Sequence, residues 1–222
     1  MRSLLPLAGL FTLSFAPAAG SQESARVCPA VTPARPPMEG KPGFVFVGQH
    51  QPCPPPDRTQ QDFNVVTDFG DGTVAETPYR TSDNLWILGG EHTYRRAGTY
   101  QVVGIATDRE TGETMVLRHP IQIRNAPLTA LQSKRPTFST RRTFRRVVAR
   151  FSDGNRLATA RDHRASIRWG DGTQSAGIVV RAGRLGFRIE GAHRYRTASS
   201  HRIVVVVRDD RGAALRLRVT TG

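Results

Sequence analysis

One tetrapeptide occurs twice in this chain, as Gly70-Asp71-Gly72-Thr73 and again as Gly170-Asp171-Gly172-Thr173. An aromatic residue stands just before each copy, Phe69 in one case and Trp169 in the other. A His-x-Tyr follows each, His92-Thr93-Tyr94 and His193-Arg194-Tyr195, and a valine-rich stretch comes next. Asp71 precedes His92 by 21 positions and Asp171 precedes His193 by 22. Signals matched in type, order and separation define an internal repeat of about 100 residues. A unit of that size can bury a core of its own, so the 222 residues accommodate two such domains. Within each copy, Asp-Gly after an apolar run is a turn signal. Glycine tolerates positive φ, and the aspartate oxygen accepts from amides two residues on.

The stretches between these signals alternate with period two, and none sustains an apolar pattern of helical period. Strands are predicted at 43–48, 62–69, 85–88, 99–107 and 115–123 in the first copy, with Gly89-Gly90 ending the third. In the second they are predicted at 128–131, 143–151, 165–169, 178–180, 186–190, 201–208 and 213–220. Asn125-Ala126-Pro127 marks the boundary. Seven short strands punctuated by turns fit an antiparallel two-sheet sandwich. The fold class is therefore all-β: two tandem immunoglobulin-like sandwiches, at 43–125 and 126–222.

What precedes them is different. Arg2 and the apolar run from Leu4 to Ala16, followed by Ala16-Pro17-Ala18, form the pattern of a cleaved secretory signal at 1–19. Residues 20–42 make a proline-rich arm, since prolines at this density cannot sit inside a sheet. Cys28 and Cys53 are the two cysteines, and an exported chain meets oxidising conditions. Bonded, they stabilise by about 3–4 kcal/mol in the chain-entropy model; the alternative is two unpaired thiols. No later apolar run reaches membrane-spanning length. The expected location is periplasmic, cell-surface or secreted.

At this point the chain resembles the polycystic-kidney-disease (PKD) family of immunoglobulin-like domains. Asp68-Phe69-Gly70-Asp71-Gly72-Thr73, His92-Thr93-Tyr94 and Ala97-Gly98-Thr99-Tyr100 carry the likeness in the first copy. Ile167-Arg168-Trp169-Gly170-Asp171-Gly172-Thr173, Gly191-Ala192-His193-Arg194-Tyr195 and Asp209-Asp210-Arg211-Gly212 carry it in the second, where Ser199 and His201 replace Gly98 and Tyr100. The resemblance implies a non-catalytic module of a secreted or envelope protein, serving as spacer, adhesive unit or binding accessory.

No nucleophile elbow, metalloprotease helix or phosphate-binding glycine loop is present in the sequence. His92 and His193 occupy equivalent positions, which assigns them a structural hydrogen bond rather than acid–base work, and no cofactor is implied. Asp68, Asp71 and Asp108 raise a calcium reading, but Arg168 stands where the first copy has Asp68; turn chemistry is the favoured reading of all three, with calcium in the first copy as the alternative. The sharp functional hint is charge. Residues 1–125 hold 11 Lys+Arg and 12 Asp+Glu, a net −1; residues 126–222 hold 21 and 6, a net +15. Arg216 and Arg218 alternate with Leu215, Leu217 and Val219. Arg202 and Arg208 lie opposite Ile203, Val205 and Val207, and Arg168 opposite Ile167 and Trp169. If their three strands share a sheet, these arginines gather on its outer face, either as a solvated surface of arginine-biased composition or as a fit to a polyanion: acidic polysaccharide, lipopolysaccharide phosphate or, less favoured for want of interleaved aromatics, nucleic acid. The expected partner is an envelope polysaccharide or protein. The alternative role is a structural spacer in an envelope or secreted-enzyme assembly.

Overall fold

The computed structural model describes residues 36–49, 58–82, 85–131, 137–138, 141–184, 186–197 and 199–221. The signal segment, most of the arm, and Cys28 and Cys53 lie outside them. The strands are β1 Gly43–Gln49, β2 Phe63–Asp68, β3 Val74–Glu76, β4 Arg80–Ser82, β5 Leu85–His92, β6 Gly98–Asp108 and β7 Thr114–Ile123. After these come β8 Leu128–Leu131, β9 Phe144–Asp153, β10 His163–Arg168, β11 Gln174–Arg181, β12 Gly186–His193, β13 Arg202–Asp209 and β14 Ala214–Thr220. Every pairing between these strands is antiparallel. The fold is all-β, as the period-two alternation requires.

Two apolar cores form, one per repeat. Val45, Val65, Phe69, Trp86, Leu88, Tyr94 and Val102 anchor the first. Val148, Phe151, Ile167, Trp169, Phe187, Ile189 and Val205 anchor the second. In the first sandwich the sheets run β3-β2-β6-β7 and β1-β5-β4. In the second a single run, β14-β13-β10-β11-β12-β9-β8, supplies both sheets. There β11 crosses between them, since residues 174–177 pair with β10 and residues 178–181 with β12. The first sandwich breaks the same strand at Thr77-Pro78-Tyr79 into β3 and β4, because Pro78 has no N–H to offer a ladder.

Two differences from the expected strands have clear causes. The short β3 and β4 carry too few alternations to be read from sequence. Gly89-Gly90 does not end β5, which continues to His92. A Cβ at Gly90 would lie 3.2 Å from Phe69 Cζ and 2.4 Å from Thr77 Cγ2, and one at Gly191 would lie 2.7 Å from Trp169 Cη2. These glycines are floor space for the ring before the Gly-Asp-Gly turn. A further matched pair lay unread: Thr59 and Asp62, and Thr159 and Asp162, cap single helical turns 100 residues apart. Asp62 Oδ2 accepts from Thr59 N at 2.5 Å, and Asp162 Oδ2 accepts from Thr159 N at 2.7 Å.

The end of the arm packs onto the first sandwich. Met38 bridges Arg124 in parallel, and Glu39 N donates to Arg124 O at 3.1 Å. The Glu39 carboxylate is buried and accepts from Ala97 N at 2.6 Å and Ala126 N at 3.1 Å.

Candidate functional site

The repeated motif closes into the same small constellation twice. Asp71 Oδ1 accepts from Thr73 N at 3.1 Å, and its Oδ2 lies 2.8 Å from His92 Nε2. Asp171 does the same with Thr173 N at 3.1 Å and His193 Nε2 at 2.8 Å. Each imidazole lies flat on the aromatic before the turn, His92 on Phe69 with centroids 4.2 Å apart and His193 on Trp169 at 4.6 Å. Tyr94 Oη donates to Phe69 O at 3.0 Å and Tyr195 Oη to Trp169 O at 2.9 Å, the corner bond of immunoglobulin-like sandwiches. Gly70, Gly72, Gly170 and Gly172 all have positive φ. The aspartate oxygens, one nitrogen of each imidazole and both tyrosine hydroxyls of this constellation are engaged in holding the turn.

The protonation states agree. Burial alone raises the Asp171 carboxyl, but the Thr173 hydroxyl, His193 and the Thr173 amide outweigh it and hold the group at about 2. Asp71 is lowered against the same opposing burial. Burial pushes the Tyr195 phenol up to about 12. The aspartates of the calcium reading are spent separately. Asp68 Oδ1 accepts from Gly70 N at 2.8 Å, Asp71 serves His92, and Asp108 takes Arg58 together with the amides of Glu110 and Thr111. Among the described residues no cluster of three or more His, Cys, Asp or Glu could hold a metal ion.

The arginines assemble differently. Strands β14, β13 and β10 are neighbours in one sheet, with Val206 opposite Arg216 and Ser166, and Val204 opposite Arg218 and Arg168. Pleating therefore puts Arg168, Arg202, Arg208, Arg216 and Arg218 on one outward face, all exposed. A sixth, Arg164, belongs with them. Because β10 begins at His163, Arg164 shares a face with Ser166 and Arg168 and sits directly opposite Arg208. The floor between them is Val204, Val206 and Ser166, all half-buried.

Alternation turns Asp209, the last residue of β13, to the other side, but at the Arg164–Arg208 end Asp162, Asp209 and Asp210 line one recess with these two arginines. Asp162 and Asp210 stand at one edge and lie 3.8 and 3.7 Å from Arg96 of the first sandwich. Among the described residues none of the six arginines has an ion-pair partner; Arg168 Nε donates to Gln174 Oε1 at 3.4 Å. The corresponding face of the first sandwich is mixed: Val74, Ile105 and Val116 are exposed beside Val66 and Val103, and Asp68, Glu76 and Arg118 share it, so charges of both signs stand where the second sandwich carries arginines.

Buried charge lies elsewhere in the second sandwich. His163 Nε2 is 2.8 Å from Asp153 Oδ2 and its Nδ1 is 2.9 Å from Thr159 O, so both ring nitrogens face acceptors. Burial lowers the affinity of this ring for a proton, and the Asp153 carboxylate more than reverses it, leaving the group raised.

No family model and no curated protein matches the chain. Among solved structures, it is similar to the fibronectin(III)-like modules of Clostridium thermocellum CbhA at 14% identity, over 83% of this chain and 86% of that one, with a TM-score of 0.29. It is also similar to the Bacteroides ovatus mixed-linkage glucan utilization locus protein SGBP-B, solved with a mixed-linkage heptasaccharide. That match is at 17% identity over 73% of this chain and 38% of that one, with a TM-score of 0.26. Likeness this loose carries no argument about subfamily or ligand.

Proposed function

We propose that the chain is a non-catalytic binding module of the secreted or envelope class, built from two PKD-type sandwiches, whose second sandwich holds a polyanion on the outer face of β10, β13 and β14. One observation carries this reading: six arginines project from one pleated face, with acids only at its Arg164–Arg208 end. The arrangement is costly for the free protein. Like charges placed directly opposite across two strands, as Arg164 and Arg208 are, destabilise a sheet. Neighbouring strands are about 4.8 Å apart and same-face residues roughly 7 Å apart along a strand. The guanidinium groups therefore span a face broad enough for several sulfate, phosphate or carboxylate groups of one polymer. A planar fork donates to such oxyanions in pairs, which an ammonium does not. The half-buried valines between them give the sugar rings of an acidic polysaccharide an apolar floor. No aromatic side chain projects among them to stack bases, which favours polysaccharide over nucleic acid.

Retention of the full chain on a heparin column tests this. The wild type elutes at elevated salt, and the quadruple variant with Arg168, Arg208, Arg216 and Arg218 all changed to serine elutes well before it. Retention unchanged by the four substitutions would overturn the reading. A spacer role is supported by a different observation, the polar junction that fixes one sandwich against the other through Glu39 and Asn155.

A further inference from the structure

We propose a second, separate anion site at the end of the second sandwich, where Arg141, Arg194 and Arg196 surround a recess that takes one phosphate or sulfate monoester. The two repeats superimpose in register here. Gly40 N donates to Tyr94 O at 2.8 Å, and Arg141 N donates to Tyr195 O at 2.9 Å. Gly40 has φ 68° and Arg141 has φ 61°. The backbone thus demands the left-handed region at both positions, and glycine occupies it freely while a side chain does not. Among the described residues Arg141 is the one non-glycine residue with positive φ. The second repeat places its arginine at the position where the chain tolerates it least, and such local conflicts concentrate at functional sites.

The surroundings say what it is for. Arg141 lines an open recess of about 1090 Å³ with Arg194, Arg196, His193, His201 and Thr173. Three of these are guanidinium groups on exposed residues. The acid among the lining residues is Asp171, whose oxygens already accept from Thr173 N, Thr173 Oγ1 at 2.6 Å and His193. His201 lies flat on Tyr195, centroids 4.0 Å apart, where the first repeat packs Tyr100 at a tilt on Tyr94, so the substitution keeps the shelf, with His201 Nε2 3.0 Å from Ser199 Oγ. Thr93 stands in the first repeat where the second has Arg194. That first-repeat surface is also covered: a Cβ on Gly40 would lie 2.1 Å from Asn155 Oδ1. The covered end has glycine and threonine; the end facing solvent has arginine at both. A tetrahedral oxyanion accepts several forked donors at once, which suits three arginines lining one recess.

Calorimetric titration of the full chain with glucose 6-phosphate, glucose 6-sulfate and inorganic phosphate tests the site, using wild type, R141G, R194T and the face variant R216S/R218S. R141G melts at or above the wild-type temperature in phosphate-free buffer, since glycine suits this φ. Its affinity for the sugar ester falls about fivefold or more through loss of a charge-assisted donor. R194T, the first-repeat residue, weakens binding likewise, and R216S/R218S leaves it unchanged, which separates this site from the sheet face. Inorganic phosphate binding as tightly as the sugar esters upholds an oxyanion site with no sugar contact. Titration of R141G and R194T indistinguishable from wild type, or equal weakening by R216S/R218S, overturns the proposal.

Discussion

At the scale of single residues, the repeated aspartate looks at first like a site and acts as a clamp. Asp171 gathers a backbone amide, a hydroxyl and an imidazole, and that set holds its carboxyl near 2 although burial opposes it. A carboxyl whose folded pKa lies below its ordinary value contributes stability above that ordinary value, and loses it as pH falls through the folded one. The window is therefore about pH 4 to 2, and with discount for partial exposure the contribution is about 1 kcal/mol. Asp171→Asn keeps the oxygen that faces Thr173 and removes the charge. Urea denaturation at stepped pH should find it about 1 kcal/mol less stable than wild type at pH 7 and equal to it near pH 2. A constant gap at every pH would mean that charge is not the cause. His163 obeys the opposite sign. Its raised pKa makes the Asp153 contact fully stabilising below 6.5, and that stability is lost as pH rises through the higher folded value. The Asp171 clamp is legible from sequence because its partners recur at constant separation in two copies. The His163 pair occurs once, between residues in different strands, and leaves no periodic trace.

At the scale of elements, alternation predicts which arginines share a face, and it works because pleating has no freedom: residues two apart must point the same way. Arg164 is missed for an equally physical reason. His163 opens β10 with a buried polar side chain paired to Asp153, and a polar first residue does not announce a strand. The strand expected at 186–190 stops short of Gly191, which lies inside β12, since a glycine inside a strand signals a stop unless the neighbour across the core is known. Here that neighbour is Trp169. Gly191→Ala therefore costs about 1–3 kcal/mol through overpacking. It also changes the near-ultraviolet circular dichroism of the tryptophan, because the added methyl pushes on the indole. Gly172→Ala meets nothing within 4 Å and carries only its positive φ of 88°. It should lower the melting temperature and leave the aromatic spectrum as it was. Identical spectra for the two variants would refute the spatial role given to Gly191.

At the scale of the whole molecule, the two repeats share a frame and divide the labour. The first carries a near-neutral balance and a sheet face of mixed valines and charges of both signs; the second carries the charge excess. What joins them is polar. Glu39 accepts one amide from the β5–β6 loop and one from the linker at Ala126, while Asn155 Nδ2 donates to Arg95 O at 3.0 Å. No sequence pattern foretells this joint, because one glutamate in a proline-rich arm has no period and its partners lie 58 and 87 residues away. Burial is the largest influence on the Glu39 carboxyl and raises its pKa, so the folded chain takes up a proton more readily than the unfolded one. Its contribution is thus full below 4.5 and falls as pH rises through the folded value. Glu39→Gln supplies one oxygen and one amide where two donors converge, which strands a buried N–H at a cost of about 1–3 kcal/mol. Since each sandwich has its own core, that cost falls on their coupling. Scanning calorimetry at neutral pH should find one unfolding transition for the wild type and two for Glu39→Gln, with Asp171→Asn, placed away from the joint, keeping one. Two transitions in the wild type would show the sandwiches already independent. A single transition in Glu39→Gln would move the coupling to Asn155 and to the Arg96 contacts with Asp162 and Asp210.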